Sequence, residues 1–570
     1  MVGATVLAAW RFLARNAALG TADWLMTRSL VRAIWSSPSQ EEIVGALGEF
    51  RPTDRETVQE MRAGRYLLAS RLVDTHGVSP FAIETDDIAW SDDLRGFSWL
   101  RHFRESREPA DRSFARMLAL DWIGREGRFD RDSWRLALCA RRILNWLRHF
   151  SLLVDGATDD EVRTILRSLG TQIRSLKVRG GIAREPSDAL FAAIALAAVA
   201  LCDERRVSEL PGRMRTLLRL LDRQLDKDGL HLSRSARLQL WLLVELETLR
   251  QALAKDHEEF EQQLSPIVDD MHRAFDAVSL STGDPAFFNG TGQLPHDLIV
   301  SVQVQSTARF RNSGTSGGYG RLIEGRSVVV ADSGRVPPPA FAREAHASAL
   351  AFEFSHGTEL IVGNCGPAPL ELEDNGLVFR QGITHSGITI NGHSAARLKE
   401  GGIAGGRVMP VGRPPILNSN VGDNSIVIET HGFQPHYKAV IERRLMLMAD
   451  GKSLVGQDKL LGGRAGSKRH PNIATLRFHL ALGTTVEPSP DDDVLRLRLA
   501  SGAIWTFLWE GADMRIEDSV RQSSYFGFHR IKQIVLETQL GGEQEIAWIF
   551  TLDEHRRGVP QQRVGRSRIG

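Results

Sequence analysis

The sequence predicts a two-part α+β protein, in which helices joined by short loops form the first half and an antiparallel β-sandwich forms the second. Glycine usage divides the chain, because 16 of the 52 glycines precede residue 285 and the other 36 follow it. Apolar residues recur with the helical period of 3.6 before this point, and they fall in short β-branched runs after about residue 300. The segment 281–294, with FFNGTGQ at its centre, is the expected hinge between the halves.

The first half contains amphipathic patterns rich in Leu, Ala and Arg. Several follow residues that favour a helix start, such as Thr158 after Asp155-Gly156, or Pro186 ahead of a long apolar run. The predicted helices cover residues 113–123, 134–150, 187–202, 210–225 and 235–254. Many helices with short connections are typical of a helix-pair toroid or solenoid.

The second half contains short runs bounded by Gly, Asn and Asp, with no long helix between them. The predicted strands cover residues 326–331, 350–354, 359–362, 387–390, 425–429, 440–446 and 474–479. The pair Asn391-Gly392 directly after one run is a strong hairpin signal. The pattern therefore predicts a large antiparallel sandwich.

These patterns divide the chain into four parts. We expect a helical toroid over residues 1–284, a linker over 285–299 and the sandwich over 300–555. The last residues, 556–570, are rich in Arg, Gly and Gln and are predicted to form a flexible tail.

Composition excludes several classes of protein. The chain is 42% hydrophobic and 25% charged, which excludes disordered, collagen-like and coiled-coil proteins. The net charge of +1 gives no field strong enough to collect nucleic acid or an anionic membrane, so no nucleic-acid partner is predicted.

The cysteines and the N-terminus bear on the cellular compartment. Cys139, Cys202 and Cys365 are far apart, so they predict neither a disulfide framework nor a CxxC metal site. Arg11 and Arg15 interrupt the first apolar stretch, so no secretory signal is predicted, and no window is long and apolar enough for a transmembrane helix. We expect a cytoplasmic protein, with the cell envelope or periplasm as the alternative.

The densest polar constellation comes from three segments that each lie next to a predicted strand. These segments are Arg343-Glu344-Ala345-His346, Asn364-Cys365-Gly366 and Thr384-His385-Ser386. Two histidines with an amide or a thiol can form a zinc site. Alternatively, either histidine can act as an acid or a base, because imidazole titrates near neutral pH. A third interpretation is that both side chains make hydrogen bonds at strand ends.

A second polar segment, residues 228–235, directly precedes a predicted helix. Gly229 permits a tight turn, and Ser233 or Ser235 can cap the helix. His231 and Arg234 are candidates for binding a carboxylate or a sulfate.

Five blocks of sequence carry a family resemblance. They are DLRGFSWL at 93–100, RRILNW at 141–146, REAHASALAFE at 343–353, THSGITING at 384–392 and RFHL at 477–480. In content and order they resemble the heparinase II/III-like proteins, a family containing polysaccharide lyases with an α/α toroid followed by an antiparallel sandwich.

The resemblance implies a carbon–oxygen lyase that cleaves an acidic, uronate-containing polysaccharide or oligosaccharide by β-elimination. Such a reaction needs a group that neutralises the carboxylate, a base for the C5 proton and an acid for the leaving oxygen. The resemblance places His346 and His385 in proton transfer. It implies Arg343, Arg234, His231 and Asn289 as substrate-binding residues. It also implies a structural zinc ion held by His346 and His385, with Asn364 at the position of the family's aspartate.

The chain departs from the family pattern at three places. The His-x-His-x-Asp pattern reads Glu344-Ala345-His346-Ala347-Ser348 here, and the toroid pairs Asn-His and Tyr-His read Glu185-Pro186 and Leu238-Gln239. Glu344 is then the candidate substitute base, provided that desolvation raises its pKa, with Arg343 binding the substrate carboxylate.

Few phenols remain in the sequence to act as an acid or a base. Of the four tyrosines, Tyr319 and Tyr437 lie in the predicted sandwich and are candidates for the missing group. The alternative hypothesis is a non-catalytic or divergent carbohydrate-binding protein for envelope polysaccharide handling.

Overall fold

The computed structural model describes most of the chain. The described residues are 14, 17–28, 43, 47–106, 108–368, 376–399, 405–488, 494–523 and 527–553. The predicted tail 556–570 lies outside the described residues. Where the structure describes the chain, no helix combines the length and the apolar character needed to cross a membrane.

The first half is helical, as predicted, apart from one short β-hairpin. Its helices are α1 (Arg55–Arg62), α2 (Ile88–Gly96), α3 (Leu100–Phe103), α4 (Pro109–Glu126), α5 (Leu136–Arg148), α6 (Phe150–Val154), α7 (Asp159–Gly180), α8 (Pro186–Cys202), α9 (Leu210–Gln224), α10 (Ala236–Asp256), α11 (Glu258–Ala277) and α12 (His296–Gln303). The hairpin strands are β1 (Arg65–Leu68) and β2 (Arg71–Asp74). All five predicted helices are present, with ends that differ by a few residues.

Helix α8 forms the centre of the helical half. Almost all of its residues from Leu190 to Cys202 are buried, and it contacts α5, α7, α9 and α10. A helix that is apolar on every side has to be surrounded by other helices. Its sequence therefore places it inside the bundle.

Among the described residues, the second half contains two large antiparallel sheets and two separate two-stranded ones. Its strands are β3 (Gly314–Ser316), β4 (Tyr319–Glu324), β5 (Ser327–Asp332), β6 (Phe352–His356), β7 (Glu359–Gly363), β8 (Ile388–Ile390), β9 (Ala396–Leu398), β10 (Val408–Pro410), β11 (Ile416–Asn420), β12 (Ser425–Thr430), β13 (Ala439–Leu447), β14 (Ser453–Gly462), β15 (Gly466–Ser467), β16 (His470–Pro471), β17 (Ile473–Leu480), β18 (Thr485–Pro488), β19 (Val494–Arg498), β20 (Ile504–Glu510), β21 (Asp513–Ser523), β22 (Gly527–Gln539) and β23 (Gln544–Leu552). The four-residue helix α13 (Gln434–Tyr437) lies between β12 and β13.

Among the described residues, one large sheet has eight strands in the order β11-β12-β13-β14-β23-β20-β19-β18. The other has nine, in the order β21-β22-β17-β7-β6-β5-β4-β3, with β8 paired to β17. The two-stranded sheets are β9 with β10 and β15 with β16. Residues of β13 alternate between buried and partly exposed, which is the period-two pattern of a strand with one face on a core. The predicted sandwich is confirmed.

Two local features differ from the sequence prediction. The strand predicted from Leu350 begins at Phe352, because Leu350 has a φ of 65° and a left-handed residue ends an extended run. Asn391 and Gly392 have φ values of 49° and 76° and form the predicted tight turn. This turn closes only the single bridge from Ile390 to His393, while β8 pairs with β17.

The chain between the halves is buried. Residues 285–292 are all buried, and the chain then forms α12 before β3 begins at Gly314. Helix α12 crosses residue 300, where the linker was predicted to end. The predicted hinge is therefore packed between the helical half and the sandwich.

Candidate functional site

The two predicted catalytic histidines are in direct contact. His346 Nδ1 lies 3.0 Å from His385 Nε2, and the residues are 5% and 1% exposed. The backbone N–H of Gly290 donates to His346 Nε2 at 3.1 Å, so the proton of the neutral His346 ring is on Nδ1 and is donated to His385. His385 Nδ1 then donates to the carbonyl oxygen of Gln381 at 2.8 Å. All four ring nitrogens are engaged.

Burial also determines the charge of this pair. It lowers the pKa of His385 to about 4. Burial lowers the pKa of His346 well below its ordinary value, and the neighbouring His385 adds to the effect. Both rings are therefore neutral at neutral pH, and the chain from Gly290 through His346 and His385 to Gln381 holds each in one tautomer.

The proposed zinc ligands do not fit a zinc ion. A metal needs an unprotonated ring nitrogen, but the bond from Gly290 leaves the proton of His346 on the nitrogen that faces His385. Asn364 donates from Nδ2 to the Phe287 carbonyl at 3.2 Å and accepts at Oδ1 from the Ser386 N–H at 2.8 Å. Among the described residues, no group of three or more His, Cys, Asp or Glu side chains could hold a metal ion.

Glu344 does not have the pKa of a base. It lies 2.7 Å from Arg237 of α10, across the junction of the two halves. Desolvation alone would raise its pKa, but Arg237, with Arg343 and Arg380, lowers it below the ordinary value. The predicted upward shift is wrong, because the sequence did not reveal the guanidinium that α10 brings to this carboxylate.

Arg234 connects the halves, and the protein itself engages four of the five N–H donors of its guanidinium. It is 5% exposed, has a φ of 59°, and enters the sandwich from the loop before α10. Its guanidinium donates to the carbonyl oxygens of Gly317, Gly318 and Arg335 at 2.6–3.0 Å, and to Asp332 Oδ1 at 2.7 Å. The prediction that Arg234 binds substrate is therefore replaced by a structural role.

His231 and Asn289 are likewise buried and form hydrogen bonds within the protein. His231 contacts Ser233 Oγ at 2.8 Å and Gln224 Oε1 at 3.1 Å. Asn289 donates to the Tyr319 hydroxyl at 2.6 Å and accepts from the His346 backbone N–H at 2.9 Å. Neither side chain is accessible to a glycan.

The hydroxyl groups of the two tyrosines considered as a replacement acid or base also have hydrogen-bond partners within the protein. The Tyr319 hydroxyl donates to the Arg234 carbonyl oxygen at 2.7 Å, and burial raises its pKa. The Tyr437 hydroxyl lies 2.6 Å from His393 Nδ1.

Charged side chains that remain accessible lie at the edge of the junction. The Arg343 side chain is 71% exposed and lies 3.7 Å from Glu185, which also lies 3.5 Å from Arg407. Asp188 lies one turn further along α8, where burial and the charge of Glu185 raise its pKa to about 6. We call Glu185, Arg343, Arg407, Arg237 and Glu344 the junction rim. The sequence prediction included only Arg343 and Glu344 of these five.

A polar face leads from the rim into the helical half. On α10, Arg237 is followed at helical spacing by Trp241, Glu245 and Thr248, which spans ~16 Å along the helix. Arg141 of α5 stacks on Trp241 with 4.6 Å to the ring centroid, and Arg148 of α5 pairs with Glu245 and donates to Thr248 Oγ1 at 3.0 Å. We call these facing surfaces of α5 and α10 the inner wall. In the sequence, the inner wall is indicated by polar residues that recur every three or four positions in the otherwise apolar helix α10.

Comparisons with known proteins agree with this architecture. Residues 307–549 match the family model described as heparinase II/III-like, C-terminal. A crystal structure of heparinase III superposes with a TM-score of 0.68 at 12% identity, covering 97% of this chain and 91% of that one. A heparan sulfate lyase mutant from Pedobacter heparinus superposes with a TM-score of 0.59 at 14% identity, covering 97% and 90%.

A sequence relative covers nearly the whole chain. FtsZ-localized protein C of Caulobacter vibrioides is 26% identical in an alignment of 528 residues that covers 88% of this chain and 89% of that protein. The fold is thus that of the toroid-and-sandwich polysaccharide lyases. The match to the heparinase II/III-like family covers residues 307–549, which form most of the sandwich half.

Proposed function

We propose that this protein binds an acidic glycan at the junction of its two halves without cleaving it. The observation that carries the proposal is the hydrogen-bond chain Gly290–His346–His385–Gln381, which engages both nitrogens of each candidate catalytic imidazole. A base for β-elimination needs an accessible lone pair within hydrogen-bond reach of the C5 proton. Neither ring offers one.

The junction rim supports binding without turnover. Glu344 stands where the family resemblance expects the first histidine of the His-x-His-x-Asp pattern, and it forms an ion pair with Arg237. The Arg343 side chain is 71% exposed and lies 3.7 Å from Glu185. Guanidinium groups bind carboxylates and sulfates with two parallel hydrogen bonds, so these arginines suit an acidic sugar.

The test measures binding and cleavage on the same samples. Uronate-containing polymers and oligosaccharides are assayed by calorimetry for affinity and by the ultraviolet absorbance of the unsaturated product for elimination. We expect affinity for at least one acidic glycan and no product. Product formation that His385→Ala abolishes in a folded variant would establish the β-eliminating lyase instead. No affinity across the panel would refute glycan binding.

A role in the FtsZ system is the second candidate. It is favoured by the relative named FtsZ-localized protein C, whose similarity extends over 88% of this chain. The expectation of a cytoplasmic location belongs to this candidate, with the envelope or periplasm as the alternative. Co-sedimentation of the purified protein with FtsZ polymers tests it, with the FtsZ-free protein as control. Recovery of this protein in the pellet only when polymers are present supports the role, and equal recovery without them refutes it.

A further inference from the structure

Arg101 of α3 carries a charge that the described protein does not neutralise. Its Nε is fully buried and has no hydrogen-bond partner, and its guanidinium forms no ion pair with any described residue. An unsatisfied buried donor costs about 1–3 kcal/mol, and more when the group is charged. In folded proteins such groups are strained, have a functional role, or are completed by water or an ion.

Of the three carboxylates that act on the charge of Arg101, Glu49 and Asp93 are engaged by other groups. Burial and the neighbouring Arg51 lower the pKa of Arg101, whereas Asp93, Asp297 and Glu49 oppose that effect. Glu49 accepts from Arg51 Nε at 2.8 Å and faces His149 at 3.3 Å.

The remaining two carboxylates also leave Arg101 unpaired. Asp93 accepts from the Ser98 hydroxyl and from the Ala69 backbone N–H. Asp297 is exposed at the start of α12 and forms no ion pair with a described residue. None of the three carboxylates forms an ion pair with Arg101.

Asp93, whose charge acts on Arg101, also faces the inner wall. It lies 3.9 Å from Arg141, whose guanidinium stacks on Trp241. Trp241 is only partly buried, and its indole N–H makes no hydrogen bond to a described residue. A partly exposed indole offers an apolar face for the C–H groups of a sugar ring and a free donor at its edge. Trp241 lies one turn from Arg237 of the junction rim on the same face of α10.

We propose that Arg101, Arg141 and Trp241 form a subsite that binds the carboxylate or sulfate group of a sugar whose ring packs on Trp241. Arg101 supplies the uncompensated guanidinium, Arg141 a second one, and Trp241 the platform. The sugar part of this inference rests on the proposed glycan-binding function. The anion part rests on the unpaired charge alone, and a simple anion can test it separately.

The test uses the full chain and two substitutions. Arg101→Gln removes the charge but keeps much of the side-chain length, and Trp241→Phe shortens the platform. Arg163→Gln is the matched control, because Arg163 is an exposed arginine of α7 that pairs only with Asp160, three residues away. Each variant is titrated with sodium sulfate against sodium chloride at equal ionic strength. Each is also titrated with a glucuronate oligosaccharide and with a neutral oligosaccharide of the same length.

We expect sulfate to raise the thermal midpoint of the parent and of Arg163→Gln more than that of Arg101→Gln. The general salting effect of sulfate is common to all variants and cancels in this comparison. Arg101→Gln should lower the affinity for the glucuronate oligosaccharide about tenfold or more, as expected for a lost charge-assisted hydrogen bond. Trp241→Phe should lower the affinity for the oligosaccharide and leave the effect of sulfate on the thermal midpoint unchanged.

The outcomes separate this inference from the proposed function. If the parent binds the oligosaccharide and Arg101→Gln binds it equally well, the subsite is wrong and glycan binding stands. If no oligosaccharide binds but the sulfate effect depends on Arg101, the anion site stands and the glycan function fails. Equal sulfate shifts in Arg101→Gln and Arg163→Gln overturn the anion site. A large loss of stability in Arg101→Gln without ligand also overturns it, because it would reveal a structural partner.

Discussion

Arg234 of the helical half and Asp332 of the sandwich form a buried ion pair, with Arg234 Nη2 2.7 Å from Asp332 Oδ1. The same guanidinium lies 4.1 Å from the Tyr319 ring centroid and donates to three backbone carbonyls of the sandwich. One side chain thus joins the two halves next to the buried hinge segment.

Replacing Arg234 should destabilise the protein strongly. Removing one partner of a buried ion pair leaves the other charge uncompensated, which costs about 3–5 kcal/mol. Arg234→Ala should therefore lower the urea midpoint of unfolding by far more than the control Arg163→Gln. Arg234→Lys should also destabilise, because an ammonium group cannot reproduce the planar fork. A midpoint for Arg234→Ala equal to that of the control would contradict this structural role.

The histidine pair predicts a pH dependence of stability. The folded-state pKa of His385 is lowered from 6.5 to about 4, so between these values the unfolded chain takes up a proton that the folded chain does not. The stabilisation from the neutral ring is present above pH 6.5 and is lost as the pH falls through about 4. Histidine-selective NMR should show neutral rings for His346 and His385 down to about pH 5. A ring signal assigned to either residue that titrates near pH 6.5 would contradict the buried pair.

The carboxyl group of Asp188 predicts a pH dependence of stability with the opposite sign. Its folded-state pKa is raised from 3.8 to about 6, so the folded protein holds the proton more tightly than the unfolded chain does. The associated stability is present below pH 3.8 and is lost as the pH rises through about 6. Asp188→Asn should therefore raise the thermal midpoint relative to the parent at pH 7 by more than at pH 4. The same difference at both pH values would show that Asp188 does not titrate in this range.

The hydrogen bonds of His346 and Asn364 predict that the stability of the protein does not depend on zinc. The proton on His346 Nδ1 and the two backbone hydrogen bonds of Asn364 leave no set of ligands for the ion. Prolonged treatment with a chelator should leave the thermal midpoint unchanged, and metal analysis should find less than one zinc per chain. A midpoint that falls on chelation and returns with zinc would contradict the tautomers described above.

The junction rim predicts that one substitution strengthens ligand binding. Glu344 competes with any acidic ligand for Arg237, from which it is separated by 2.7 Å. Glu344→Gln should increase the affinity for a glucuronate oligosaccharide several-fold, with little change in stability because the pair is partly exposed. Glu344→Asp, which keeps the charge, is the matched control. A loss of affinity in Glu344→Gln would indicate that the carboxylate itself contacts the ligand.

Local patterns in the chain were sufficient to predict its architecture. Helices α4, α5, α8, α9 and α10 and the predicted strands appear where periodicity placed them, because side-chain period depends only on neighbours a few residues away. The segments around residues 346, 364 and 385 also converge, as their positions beside strands indicated.

The chemistry of those residues followed from contacts between distant parts of the chain. His346 is held by Gly290, 56 residues earlier, and Arg234 pairs with Asp332, 98 residues later. Whether an imidazole is accessible or a guanidinium is paired depends on which distant groups the packed halves bring against it, and neither composition nor spacing encodes that. The sequence alone therefore established the helical and sandwich halves and the candidate residues. Only the tertiary structure buried the histidines, engaged Arg234 and left Arg101 without an ion-pair partner among the described residues, because burial and pairing are properties of the packed chain.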